Sequence, residues 1–387
     1  MIQTHCVYRQ TFIIMVIGIL KENSGEKRVA FLPETIIQLI KLKVDVMVET
    51  DAGSGACVSD TEFKNAGAIV ESRENIEQKA EVLIKINSFT LDEISKLKSS
   101  IVVISIFNPF QNIDLVKLLT DKNLTSFSLD SIPRITRAQS MDILSSMATV
   151  AGYRAVLDAA IHLPRFFPMF MSAAGTIRPA RVLILGAGVA GLQAIAISRK
   201  LGAVVEVFDV RPAVKIEVQS LGGKFIEVEG AMDDGSAGGY AIEQSEDFKQ
   251  KQRQLIHDHA IKSNVIITTA QIPGKQAPVL LTKSTVEQMM PGSVVIDLAA
   301  SSGGNCEITI NSKTIIYNQV TIIGKSDYPS DMPYDASKMF GTNLLNFLKL
   351  IISKEGALQL NFDDEIIKST CLTYNHQIMN EKVKQRL

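Results

Sequence analysis

Short runs of aliphatic and β-branched residues alternate with helical patterns along the chain. In the N-terminal half the runs are VIGIL (16–20), DVMVE (45–49), AIVE (68–71), VLIKI (82–86), IVVISIF (101–107) and LTSFSL (124–129). Helix-like stretches separate them, as in PETIIQLIKLK, where Pro33 falls at a first helical turn that tolerates it. The strand-like runs are apolar at nearly every position. That predicts strands covered on both faces, hence a parallel sheet between helix layers. From Ala138 to Ile161 the pattern turns helical and stops before Pro164. A second strand series follows: RVLIL, AVVEVF, KFIEVE, VIITTA, VVIDLA, TIIY and VTIIG. The expected class is α/β, with two doubly wound parallel-sheet domains joined by one long helix. The amphipathic stretch DASKMFGTNLLNFLKLII, from Asp335, is expected to return to the first domain. The boundaries read as residues 1–144 with 328–387 for the first domain and 145–327 for the second.

Size and charge narrow the class without changing it. A chain of 387 residues is too long for one ordinary core. A net charge of -1 gives no electrostatic case for nucleic acid or an anionic membrane. Cys6, Cys57, Cys306 and Cys371 are scattered, form no CxxC pair, and read as reduced thiols of a cytosolic protein. The apolar run FIIMVIGIL (12–20) is too short to span a bilayer. With no small-residue cleavage site behind it, it reads as a buried first strand. Residues 1–14 are then a disordered extension or a misassigned start.

The most informative stretch is RVLILGAGVAGLQAIAISRKLGAVVEVFDVRPA, 181–213. A strand leads into Gly186, Gly188 and Gly191, a GxGxxG, and a helix follows. Gly202 stands where a left-handed cap would, and a second strand ends at Asp209. The first glycine permits a tight turn, the second lets backbone approach a pyrophosphate, and the third lets helix and strand pack closely. Helix-start N–H groups then bind the phosphates. Asp209 lies 23 residues past Gly186, the usual place for a carboxylate on a ribose 2′-OH. Strand, helix, second strand and acid in this order make the second domain Rossmann-like and favour NAD(H) over NADP(H), with Arg211 nearby as the opposing charge. VIITTAQIPGKQAP (265–278) and VVIDLAASSGGN (294–305) place strand ends against loops of small residues, as cofactor loops or as ordinary βα connections. EGAMDDGSAGGYAIEQ (229–244) could be a lid that closes Tyr240 over the cofactor.

Other candidates fall away. Gly324-Lys325-Ser326 mimics a phosphate loop, but the earlier glycine it requires is Gln319. There is no HExxH and no cysteine–histidine metal spacing, so no metal is expected. His257 and His259 read as solvent-facing. No histidine lies between Cys6 and Ile161. A dehydrogenase acting on an alcohol or amine needs a proton acceptor, and Lys85, at the end of VLIKI, is the only obvious one there. PRITRAQSMDILSS (133–146) is polar and precedes the long helix. It is either a solvated helix start or a site that holds a polar ring by its edges. Gln139, Asp142 and Ser145 follow i, i+3 spacing and would share one helix face, with Arg134 able to reach Asp142.

The motifs resemble a known family. GILKENSGEKRVAFLP, PRITRAQSMDILSS, AGYRAV, GAGVAGLQAIA, DVRPA, GGYA, TTAQIPGKQAP, DLAASSGGNCE and DASKMFGTNLLNFL are similar, in order, to the NAD(H)-binding first domain of the proton-translocating NAD(P) transhydrogenases. In the bacterial form that domain is a separate alpha subunit. The resemblance runs from Met15 to the end, and alanine dehydrogenases are fold relatives. It implies a Re/Si-specific enzyme that passes hydride between NAD(H) bound here and NADP(H) on a partner. It places the nicotinamide end at Arg134, Gln139, Asp142 and Ser145, with Tyr240 closing the site. It implies cofactor contacts from Gly186, Gly188, Val189, Gly191, Asp209, Val210, Arg211, Gly239, Ala270 and Gln271. The implied partners are a membrane subunit and an NADP(H)-binding beta subunit, with a homodimer and attachment to the inner membrane from the cytoplasm. One departure is Gln271, where the family usually has an apolar residue. Hydride exchange between two nicotinamides needs no proton acceptor, which fits the missing histidine. The alternatives are an alanine dehydrogenase-like enzyme, using Lys85 and Arg28 on a 2-oxo acid, and a non-catalytic NAD-binding module.

Overall fold

The computed structural model describes residues 14–228, 245–271 and 274–386. The chain divides into two compact units, Met1–Ile143 with Pro333–Leu387, and Leu144–Met332. Residues 328–332, assigned from sequence to the first domain, therefore belong to the second. The reason is local: the fully buried Tyr328 donates its hydroxyl to Asp158 Oδ2 at 2.6 Å.

In the first unit, β1 (Val16–Ile19), β2 (Asp45–Glu49), β3 (Ile69–Glu71), β4 (Val82–Asn87), β5 (Val102–Ile106) and β6 (Thr125–Ser128) form a parallel sheet in the order β6-β5-β4-β1-β2-β3. Strand Cys371–Tyr374 adds antiparallel to β6, and Gln377–Ile378 extends that edge. Valine and isoleucine fill these strands because both faces are covered. The tail helix Pro333–Ile351 belongs to this unit. Ala336, Phe340, Leu344, Phe347 and Ile351 recur at helical spacing and are buried along one stripe. Gly341 lets that helix come close: a Cβ there would lie 2.9 Å from the Ala30 carbonyl oxygen. Val29 N–H donates to Ser337 Oγ at 2.9 Å beside it.

The second unit begins with the long helix Ile143–His162, and a separate hairpin follows, β7 (Phe170–Ser172) and β8 (Gly175–Ile177). Its sheet comprises β9 (Arg181–Leu185), β10 (Val204–Phe208), β11 (Lys224–Ile226), β12 (Val265–Thr268), β13 (Val294–Asp297), β14 (Lys313–Tyr317) and β15 (Val320–Gly324). The order is β11-β10-β9-β12-β13-β15-β14, parallel except for the edge strand β14. Both sheets thus reverse strand order once, at β1/β4 in the first unit and at β9/β12 in the second. In open α/β sheets ligands bind outside the carboxyl ends of the strands at such a reversal. No described helix is long and apolar enough to cross a membrane.

Candidate functional site

At the β9/β12 reversal the chain leaves β9 through Gly186, whose φ of 105° is a conformation only glycine adopts freely. Gly188 caps the helix Val189–Lys200, and a Cβ built on Gly188 meets nothing within 4 Å. A Cβ on Gly191 would lie 1.9 Å from the Gly186 carbonyl oxygen. The three glycines therefore do three different jobs: left-handed turn, open approach and close packing. A twelve-residue helix start facing open space fits a dinucleotide diphosphate, through N–H groups and dipole together. Val189 opens that helix and is partly exposed. Asp209 lies just past β10 with its side chain only 5% exposed. Its Oδ2 accepts from Ala187 N–H at 2.7 Å, which ties the acid to the glycine turn. Its Oδ1 accepts from Arg211 N–H at 2.8 Å, and the Arg211 guanidinium donates to both oxygens.

The loops after β12 and β13 form one hydrogen-bonded piece, which the sequence did not reveal. Asp297 is fully buried and accepts from Thr268 Oγ1, Thr309 Oγ1 and the N–H groups of Ala299, Asn305 and Cys306. Five donors compensate one buried carboxylate. Buried Asn305 then holds Ala270 by both backbone groups, accepting from its N–H at 3.0 Å and donating to its carbonyl at 2.8 Å. Gln271 is exposed and donates to Ser302 Oγ at 3.0 Å. Gln271 thus joins the two loops. The acid at the end of VVID, followed by small residues, was the only sequence signal for this hub.

In the first unit PRITRAQSMDILSS is not a continuous helix start. Thr136–Met141 is a 3₁₀ turn, Asp142 follows at ψ 89°, and the long helix runs Ile143–His162. Gln139, Asp142 and Ser145 therefore do not share one helix face, contrary to their spacing. The break has a cause in the tail helix. Asn343 Nδ2 and Asn346 Nδ2 donate to the Ser140 carbonyl at 2.8 and 3.1 Å, so that carbonyl serves another segment. In the 3₁₀ turn Ala138 and Met141 eclipse and are buried, leaving Arg134 and Gln139 exposed and Asp142 half-buried. Ser145 lies within the long helix, half-buried. Arg137, unassigned from sequence, makes a bidentate ion pair with Asp364 at 2.7 and 2.6 Å. Gly239, Tyr240 and the rest of the expected lid, 229–244, lie outside the described residues. Val210 is half-buried beside Asp209.

The β1/β4 reversal of the first unit holds a charged cluster. Lys85, the proton-acceptor candidate, is fully buried and donates to Glu93 at 2.9 Å. Arg73 bridges Glu93 and Glu49, and Arg28 pairs with Glu26 at 2.6 Å. Glu22 accepts from the N–H groups of Ile86 and Asn87 at the end of β4. Burial pushes the Glu22 carboxyl up to about 7, against the pull of those bonds and of Lys85. At Glu26 the bonds from Arg28 and Asn87 outweigh burial and hold the carboxyl down at about 2. His257 and His259 are half-buried, not solvent-facing: His257 Nδ1 lies 3.0 Å from Thr285 Oγ1 and His259 Nδ1 2.8 Å from Glu206. Among the described residues no group of histidine, cysteine and acidic side chains could hold a metal ion.

Comparison with known proteins places this geometry. The family models "Alanine dehydrogenase/PNT, N-terminal domain" and "Alanine dehydrogenase/PNT, C-terminal domain" match residues 18–151 and 155–381. The NAD(P) transhydrogenase subunit alpha of Haemophilus influenzae is 44% identical over 357 residues, covering 92% of this chain and 70% of that protein. An NAD(P) transhydrogenase subunit alpha chain of Rhodospirillum rubrum is 44% identical over 376 residues, covering 95% of this chain and 98% of that one. The crystal structure of transhydrogenase from Sinorhizobium meliloti superimposes with a TM-score of 0.86 at 41% identity, covering 94% of this chain and 99% of that one.

The buried acid in the first unit gives a signed pH dependence. An unfolded glutamate ionises near 4.5 and Glu22 in the fold near 7, so between these values the native state holds the extra proton. Stability therefore falls as pH rises from about 4.5 to 7, by on the order of 3 kcal/mol if this group acts alone. Glu26, with its depressed value, acts in the separate window below 4.5. Urea denaturation of Glu22→Gln should show a flatter profile between pH 5 and 7.5 than the parent chain. An unchanged slope would remove Glu22 as its source.

Proposed function

This chain belongs to the alanine dehydrogenase/PNT family, and from that membership we propose that it is the NAD(H)-binding alpha subunit of a proton-translocating NAD(P) transhydrogenase. It passes hydride between NAD(H) held here and NADP(H) on a beta subunit, coupled to proton movement through a membrane subunit to which it attaches. Bound NADH supplies the hydride. This chain's residues bind, orient and exclude water. N–H groups at Gly188 and Val189, at the open helix start, hold the diphosphate, while Gly186 shapes the turn and spends its own N–H on the Phe208 carbonyl at 2.8 Å. Asp209 takes the ribose hydroxyls. Arg134, Gln139, Asp142 and Ser145 hold the carboxamide end, with the Tyr240 segment as cover. Hydride exchange requires two rings at near-attack distance and no base.

The observation that carries this reading over an amino-acid dehydrogenase is the state of Lys85 and Arg28. A 2-oxo acid needs cations to receive its carboxylate. Both candidates are buried and already paired, with Glu93 and Glu26. A site whose cations are neutralised from within offers an anion little net attraction.

The hairpin β7–β8 supports a homodimer. Phe166, Met169, Phe170, Met171 and Ile177 are about half exposed or more, reaching 72% at Met171. Phe166 and Phe170 stack at 5.0 Å between ring centroids. A lone two-stranded hairpin is marginal in water, so an apolar one gains from a partner surface. We propose that a second copy of this chain covers it.

Three measurements test these assignments. NADH should bind at least about tenfold tighter than NADPH, or ~1.4 kcal/mol, and Asp209→Ala should narrow the gap by weakening NADH. Equal affinities in a direct titration of the parent chain would overturn the cofactor reading. Light scattering should report two copies, and Phe170→Asp with Met171→Asp should yield one; a monomeric parent chain would refute the dimer. Gln139→Asn keeps both amide groups and shortens the side chain by one methylene. NADH affinity and folding should hold, while transfer to NADP⁺ on a purified transhydrogenase beta subunit should fall about a hundredfold, the cost of a displacement of order 1 Å. Normal turnover would leave this segment a structural turn.

A further inference from the structure

The carboxylate of Asp209 receives four N–H donors, two on each oxygen, and they fall into two kinds. One donor on each oxygen is backbone: Arg211 N–H to Oδ1 at 2.8 Å and Ala187 N–H to Oδ2 at 2.7 Å. The other on each is the Arg211 guanidinium: Nε to Oδ1 at 2.9 Å and Nη2 to Oδ2 at 2.7 Å. A carboxylate has about four acceptor positions, so this set uses its capacity. The backbone donors fix where the carboxylate points. The guanidinium fork takes the remaining position on each oxygen side by side. Two neighbouring hydroxyls of a ribose would present the same pattern to the same acid: two parallel donors, one per oxygen.

We infer that Arg211 is an internal competitor for the ribose diol, its guanidinium filling on Asp209 the positions that the dinucleotide must take over. The inference rests on the reading of Asp209 as the ribose acid and goes beyond it by assigning a role to the neighbouring cation. The ion pair is close to solvent, with the Arg211 side chain 19% exposed, so the exchange is open to a ligand. Arg211 follows its acid by two residues, which keeps the competitor at high effective concentration at all times. The arrangement also keeps Asp209, at 5% exposure, from standing uncompensated when no nucleotide is bound. It sets affinity from the free state: part of the binding free energy is spent on displacing the arginine.

The test is a direct fluorescence titration of NADH and of NADPH into the isolated chain, for the parent and for Arg211→Ala and Arg211→Gln. Both variants keep the backbone N–H of residue 211, hence the aim of the carboxylate, and remove the guanidinium fork. NADH affinity should rise about three- to tenfold, while NADPH, whose 2′-phosphate meets the bared acid, should gain nothing. Melting temperature should fall slightly in both variants. A purely structural arginine would give the melting shift with unchanged or weaker NADH binding, and that result would overturn the inference. An arginine that moves onto the bound nucleotide would weaken NADH and overturn it equally. Failure of the underlying reading looks different: the parent chain would then show no preference for NADH, and Asp209→Ala would bind as the parent does.

Discussion

A methyl group on residue 191 would lie 1.9 Å from the Gly186 carbonyl oxygen, and the geometry of the second unit is built around that closeness. The helix Val189–Lys200 can start directly over the end of β9 only because nothing projects there. Its start then faces the reversal of strand order, where the β12 loop arrives: Thr269 Oγ1 donates to the Gly186 carbonyl at 3.0 Å. On the other side Asp209 accepts from Ala187 N–H. Turn, helix and acid are thus bound to one another before any ligand arrives. Preorganisation of this kind lowers the ordering cost of binding a flexible dinucleotide.

The two units share a strand order up to the reversal and differ in what they put there. The second places glycines, small residues and one acid held by backbone N–H groups. The first places Glu22, Glu26, Arg28, Lys85 and Glu93, whose charges compensate one another. Both are solutions to the same problem, that strand ends at a reversal leave backbone groups and space unfilled. An open solution creates a ligand site. A closed one costs desolvation of several ions and returns rigidity, since the buried cations Lys85 and Arg28 are each held by a carboxylate, Glu93 and Glu26.

The legible part of this fold was its local part. Apolar strand runs, the glycine spacing and Asp209 are set by neighbours within one strand-turn-helix, so periodicity and spacing reported them. What the sequence concealed depends on distant partners. The 3₁₀ break at Thr136–Met141 exists because Asn343 and Asn346, some two hundred residues later, take the Ser140 carbonyl. Local spacing favoured a longer helix, and the tertiary donors won. Lys85 reads as an available proton acceptor until Glu93 is brought beside it. His259 reads as solvent-facing until Glu206 on β10 comes within 2.8 Å. Asp297 and Asn305 read only as part of a cofactor loop or an ordinary βα connection, because their partners span 268–309.

Gln271 shows how an exposed amide is accommodated on a loop whose shape is set elsewhere. An apolar side chain at that position would pack; an amide must be hydrogen-bonded or solvated. Here it is exposed and reaches Ser302 Oγ, and Ser302 Oγ in turn donates to the Ala299 carbonyl at 3.0 Å. The amide thus adds a polar tie between two loops already joined at Asn305 and Ala270. Because Asn305 holds Ala270 from both sides, the backbone entering Gln271 is fixed whatever side chain follows. The hub at Asp297 and Asn305 therefore carries the shape of the loop, and residue 271 is left free to vary.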